Sequence, residues 1–179
     1  MKALLDACVL YPTVLREVLL AVARRGLYEP LWSDRILEEW ARAAVKLGPG
    51  AEEIARGEIA LLRAAWPRAA VAPTPGIEAR LWLPDPNDIH VLAAAIAGSA
   101  DVLVTFNAVD FPRRDLAEEG LERLDPDQFL IGLWQDAPEA VAAAAEEVRV
   151  EAERLSGEAQ PMRRLLKRAK LPRLGKALG

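Results

Sequence analysis

Apolar residues along this chain follow two different rhythms. Short unbroken runs, Ala3-Leu4-Leu5 and Val102-Leu103-Val104, have polar residues directly after them. They read as strands buried on both faces, because a parallel strand covered by helices has no solvent side. Between them the apolar positions recur every three or four residues. Val14, Leu15, Val18, Leu19 and Val22 predict a helix opened by Pro12 and ended by Gly26. A short strand over 28–32 follows. Ser33 then stands where its hydroxyl can accept from the free N–H groups of a helix running to about residue 46. Gly48-Pro49-Gly50 stops that helix, a second spans 51–65, and Pro67 precedes a brief strand at 70–72.

The second half continues the alternation. A semi-apolar stretch, 77–83, leads into Asp85-Pro86-Asn87-Asp88. Asp85 suits a cap, Pro86 the first helical position, and Asp88 the first turn of a helix to about Ala97. A strand at 102–105, a short helix at 114–119, a strand at 121–124 and a helix at 126–134 come next. Beyond Ala137-Pro138, Val141, Ala145, Val148, Ala152 and Leu155 line one face of a long helix that Ser156-Gly157 breaks. Strands alternating with helices predict an α/β fold with a central parallel sheet covered on both faces. With 179 residues, one core over 1–135 and a helical extension over 136–179 are expected.

Composition narrows the class. The chain is 52% hydrophobic and 28% charged, a globular balance. No window approaches a membrane span, and the first apolar stretch is too short for an export signal, so a cytoplasmic location without membrane partners is expected. The single Cys8 has no internal disulfide partner and reads as a small buried hydrophobe. Charge is segregated: residues 161–179 carry seven bases and no acid, whereas residues 1–160 carry 16 bases and 27 acids. Such a basic tail suits nucleic-acid phosphates, an acidic partner or plain solvation.

The acids carry the chemistry. Asp6 follows the first strand, and Asn107 and Asp110 follow the fourth. In open parallel sheets, ligands bind beyond the carboxyl ends of the strands where strand order reverses. If the first and fourth strands are neighbours there, these side chains share one crevice, which Asp88 and Glu39 can rim. Carboxylates gathered so closely raise one another's pKa unless a cation joins them. Oxygen donors in a chain with one histidine fit Mg²⁺ or Mn²⁺ and disfavour zinc or copper. Such an ion, completed by a substrate phosphate, suits phosphodiester hydrolysis.

Other readings compete. Asp88 fits a purely capping role, Glu39 lies beside Glu38 on a helix where glutamates are commonplace, and Asp110 can simply start a turn. Thr105 reads as a strand end. His90, two residues past Asp88, reads as a surface or packing histidine. Arg16, Arg113 and Arg114 are available to hold phosphates but read first as solvated, and the five tryptophans form no stacking platform.

Three blocks, LLDACVLYP at 4–12, WSDRILEEW at 32–40 and LPDPNDIHVLAAAIAGSADVLVTFNAVDFP at 83–112, together resemble the PIN domain nucleases, in particular VapC-type ribonuclease toxins. The resemblance covers about residues 1–135 and implies an α/β/α sandwich, Mg²⁺- or Mn²⁺-dependent RNA cleavage, an RNA substrate, a cognate antitoxin and a homodimer. It maps the acidic quartet onto Asp6, Glu39, Asp88 and the polar position after the fourth strand, Asn107 with Asp110 as substitute or helper. Asp6 and Asp88 are then the direct metal ligands, completed by Glu39 and Asn107 or Asp110. Two departures stand out: Ala7-Cys8 replaces a Thr-Asn or Ser-Asn pair, losing a hydrogen-bonding side chain, and Asn107 stands where aspartate is common. Reduced activity, or a catalytically weak RNA- or protein-binding module, is the alternative. The helical extension resembles the tail of a subset of VapC-like proteins.

Overall fold

A computed structural model describes residues 1–179. Its strands are β1 (Lys2–Leu5), β2 (Glu29–Ser33), β3 (Ala70–Val71), β4 (Val102–Val104) and β5 (Glu122–Leu124). They form one parallel sheet in the order β3-β2-β1-β4-β5. In register, Leu4 pairs with Leu31 on one side and Leu103 on the other, and Leu5 pairs with Val104. Ala3, Leu4 and Leu5 are fully buried, which is why β1 is an unbroken apolar run. Each leucine so buried contributes roughly 1.5–3 kcal/mol. The order reverses at β1, whose successors β2 and β4 lie on opposite sides, so the carboxyl ends of β1 and β4 flank the crevice.

The helices are α1 (Ala7–Leu10), α2 (Thr13–Arg24), α3 (Asp34–Ala44), α4 (Ala51–Ala65), α5 (Pro75–Arg80), α6 (Ile89–Ala97), α7 (Arg113–Glu118), α8 (Pro126–Asp136), α9 (Pro138–Ser156), α10 (Met162–Arg168) and α11 (Pro172–Leu178). Ser33 caps α3 as expected, its hydroxyl accepting from Ile36 N–H at 3.2 Å. Two short helices leave no mark in the apolar pattern. α1 is too short to show periodicity, and α5 spans six residues without a buried one.

The chain forms two compact units. Met1–Tyr11 with Glu29–Arg123 holds nearly the whole sheet and every polar residue singled out at the crevice. Within it, α6 runs back from the carboxyl ends of the strands, as a crossover helix between parallel strands must. Its end lies hard on the sheet: a Cβ added at Gly98 would come within 2.8 Å of Leu31 Cδ1 and 3.0 Å of Val71 Cγ2. Glycine is what permits that approach, and α6 in turn fixes Asp88 at its start.

Pro12–Tyr28 with Leu124–Gly179 is the second unit, made chiefly of helices. Tyr28 stacks edge-on against Phe129 with centroids 4.9 Å apart, and its hydroxyl donates to Leu19 O at 2.8 Å. The basic segment is folded rather than trailing. Leu165, Leu166, Leu171 and Leu174 are buried, and the buried carboxylate of Asp127 accepts from Arg173 N–H at 2.9 Å and Leu174 N–H at 3.0 Å. Those are two of the free donors at the start of α11.

Candidate metal centre

Asp6 leaves β1 with its backbone N–H still donating to Val104 O at 3.2 Å, which ties the end of β1 to β4. Its side chain is 7% exposed and caps α1, accepting from Ala7 N–H at 2.8 Å. Thr105, the residue after β4, donates its hydroxyl to the other oxygen at 2.8 Å. Burial pushes the Asp6 carboxyl above its usual range against these hydrogen bonds, and the Glu39 charge adds to the rise. The two strands are thus neighbours, as the site required.

Cys8 corrects the sequence reading. It is only partly buried, and its thiol does not act as a plain hydrophobe: Sγ accepts from Phe106 N–H at 3.4 Å and lies 3.5 Å from both Asp6 Oδ2 and Thr105 Oγ1. The hydrogen-bonding side chain expected to be lost beside Asp6 is therefore replaced by a weaker one. Burial and the Asp6 charge raise the thiol to about 11, so it stays protonated at neutral pH.

Asp88 ends a 3-10 turn, Pro86–Asp88, capped by Asp85, whose carboxylate accepts from Asn87 N–H at 2.9 Å. Oxygens of Asp85, Asp88 and Asp110 all lie within 4.8 Å of one another. Asp85 belongs to this cluster as well as capping the turn. The Asp88 carboxyl is pushed up to about 6, first by burial and then by the charges of Asp6, Asp85, Asp110 and Glu39. One carboxylate therefore senses all the acids expected at the crevice. Asn107 lies among them, its Nδ2 donating to Asp88 Oδ2 at 3.2 Å and to Asp110 Oδ2 at 2.9 Å.

Glu39 reaches the crevice from α3. Its Oε1 accepts from His90 Nε2 at 2.6 Å. Glu38 faces away, bound by Arg56 at 2.9 Å and Arg42 at 3.3 Å, which hold its carboxyl down at about 2. The choice between the adjacent glutamates is thereby physical.

A family model described as the PIN domain matches residues 2–108. The chain belongs to the PIN domain family. No curated protein matches it, and no solved structure does. PIN domains are generally metal-dependent nucleases, and the acidic cluster of this PIN domain is compatible with that activity.

The donor set fits a hard divalent cation. Oxygens of Asp85, Asp88 and Asp110 converge, the Asp88 carboxyl is held near 6 by burial and then by like charge, and the charges of Asp6 and Glu39 add to that rise. All are features that a cation at this position would relieve. Five contributors were not read as site residues, and the first, Asp85, joins the acidic cluster itself. Thr105 and Cys8 hold Asp6, His90 holds Glu39, and Arg123 donates to Ala108 O at 2.8 Å and Phe111 O at 2.7 Å, clamping the loop that carries Asn107 and Asp110. The closeness of Thr105 and Cys8 to the first acid was the available signal for two of them. His90 is 4% exposed, so of its surface and packing readings the packing one holds, and what the sequence did not show is its hydrogen bond to a crevice acid. Arg16 is buried and so is no surface phosphate contact, whereas Arg113 and Arg114 are exposed.

Proposed function

We propose that this chain is a Mg²⁺- or Mn²⁺-dependent endoribonuclease serving as the toxin of a type II toxin–antitoxin pair, of the VapC kind. The observation that carries the reading is the convergence of Asp85, Asp88 and Asp110, whose carboxylate oxygens lie within 4.8 Å of one another, with burial first and then the charges of Asp6 and Glu39 among others raising the Asp88 carboxyl. Five acids from four separate stretches of chain meet electrostatically at the sheet's reversal point, where a phosphodiester can approach. Asp6 and Asp88 are assigned as metal ligands, with Glu39 and Asn107 or Asp110 completing the shell. A bound ion there would polarise the phosphate and activate water for in-line attack. Thr105, Cys8 and Ala7 N–H hold Asp6 in place, and His90 holds Glu39. A cytoplasmic setting, a homodimer and a cognate antitoxin belong to the same reading.

The test is RNA cleavage by the purified chain with Mg²⁺, with Mn²⁺ and with EDTA, beside Asp6→Asn. Cleavage that needs the metal and disappears in the variant, with an unchanged circular dichroism spectrum, is the expected result. Undiminished cleavage by Asp6→Asn removes the assignment. For the biological role, expression should arrest growth, and co-expression of a small DNA-binding protein encoded beside it should relieve the arrest.

One observation favours a weak or inactive binding module instead. The amide nitrogen of Asn107 faces Asp88 and Asp110, where a fourth carboxylate would strengthen metal binding. Asn107→Asp distinguishes the two: a gain in metal-dependent cleavage supports a weakened nuclease, and no cleavage by either protein supports the binding module.

A further inference from the structure

Five bases of the α10–α11 hairpin, Arg163, Arg164, Lys167, Arg173 and Lys176, are exposed and have no carboxylate partner. Elsewhere in the same unit, arginines are neutralised. Arg24 and Arg25 pair with Glu147 at 2.9 and 3.0 Å, Arg154 pairs with Glu151 at 2.6 Å, and Arg149 pairs with Glu146 and Glu153. The hairpin's charge is therefore uncompensated by its own fold.

The hairpin also holds its cations together. A Cβ added at Gly175 would lie 3.2 Å from Arg163 O and 3.2 Å from Leu166 Cβ, so α11 rests directly on α10. On α10 the bases recur at positions 163, 164 and 167, and on α11 at 173 and 176, spacings that keep neighbours on one side of a helix. Buried Asp127 and four buried leucines anchor both helices.

What such a face can bind follows from what it lacks. Residues 161–179 contain no aromatic side chain, and none of the molecule's exposed large hydrophobics falls among them. A protein partner would find no apolar anchor of the kind that dominates interface energetics. A base would find no stacking platform. A phosphate backbone needs neither, because its affinity comes from releasing condensed counterions. The unit with the acidic crevice carries 17 acids against 11 bases and repels a polyanion, so backbone affinity must come from cations elsewhere.

We infer that the α10–α11 hairpin is a sequence-independent binding surface for the RNA phosphate backbone, contributed by Arg163, Arg164, Lys167, Arg173 and Lys176. The choice of RNA as the polyanion rests on the proposed nuclease reading; the surface itself does not.

The test measures binding of fluorescent single-stranded RNA to the full chain by anisotropy, in EDTA over a KCl series. It compares the parent with a variant in which all five bases are replaced by glutamine. Expected is a slope of log affinity against log salt that is shallower by roughly 0.7 per lost contact, about 3.5 for all five, with adenine and uracil homopolymers binding alike. Lys167→Gln with Lys176→Gln alone should make it shallower by about 1.4, which keeps the test decisive if the fivefold variant misfolds. An unchanged slope overturns the inference. So does loss of binding to polyglutamate with RNA binding intact, which would mark a protein-docking surface. A parent chain that binds RNA with the steep slope but never cleaves it with Mg²⁺ sinks the nuclease reading and leaves this surface standing.

Discussion

His90 Nε2 donates to Glu39 Oε1 at 2.6 Å, joining the first turn of α6 to α3. The imidazole is 4% exposed, and its other nitrogen, Nδ1, is buried without a partner. A buried polar atom left unsatisfied carries a desolvation penalty of about 1–3 kcal/mol. The ring is therefore held in this orientation by its bond to Glu39 and by the apolar packing of α6. His90→Leu should weaken Mn²⁺ binding about 10–100-fold, as loss of a group that orients a metal ligand does. His90→Gln, which can restore a donor, should recover part of that loss in a calorimetric titration. Equal affinity in all three proteins would remove the positioning role.

The acids set a pH dependence whose direction follows from Asp88. In the fold it titrates at about 6 against 3.8 for the free side chain, and Asp6 is raised as well. The native state thus holds these protons more tightly than the unfolded chain. The Asp88 contribution is complete below pH 3.8 and disappears as pH rises through about 6, and that of Asp6 is likewise lost with rising pH. The metal-free protein should lose melting temperature across that window. Added Mn²⁺ should raise the melting temperature more at neutral pH than at pH 5, because it competes with protons only while Asp88 is protonated. A metal-induced shift independent of pH would contradict the arrangement.

Thr105 is buried, and its hydroxyl both donates to Asp6 and accepts from Asn107 N–H at 3.0 Å. Thr105→Val keeps the shape and removes both bonds. A hydrogen bond to a charged group is worth about 1.5–3 kcal/mol. The variant should therefore be destabilised in urea by an amount of that order at neutral pH. In an Asp6→Asn background the loss should shrink, and a double-mutant cycle reads the coupling directly.

Gly98→Ala tests how α6 is seated. The added methyl would press on Leu31 and Val71 from β2 and β3, and overpacking of this kind costs about 1–3 kcal/mol. Chemical denaturation should show that loss, accompanied by weaker Mn²⁺ binding if the helix shifts and carries Asp88 with it.

The frame of the molecule was legible because its signals are local. β1, the capping serine before α3, α4 over 51–65 and the Asp85-Pro86 entry to α6 each announce themselves within a few residues. The convergence of the acids was legible for a second reason: a parallel sheet with a reversal point leaves few places for residues that follow apolar runs. Contacts made across the fold carry no such mark. Thr105 on Asp6, His90 on Glu39 and Arg123 on the carbonyls of 108 and 111 join segments far apart in sequence, and each of these residues is commonplace where it stands. Asp85 looked like a cap alone because capping is local, while its membership of the acidic cluster depends on Asp110.

The adjacency of β1 and β4 also bears on when the crevice can form during synthesis. Asp6 is synthesised about a hundred residues before its hydroxyl donor at 105 and the loop bearing Asp110. Until then the nascent chain holds one wall of the crevice without the other. On the nuclease reading proposed above, a fragment ending before residue 105 should fail to cut RNA whatever metal is supplied, so cleavage waits on synthesis of the second wall.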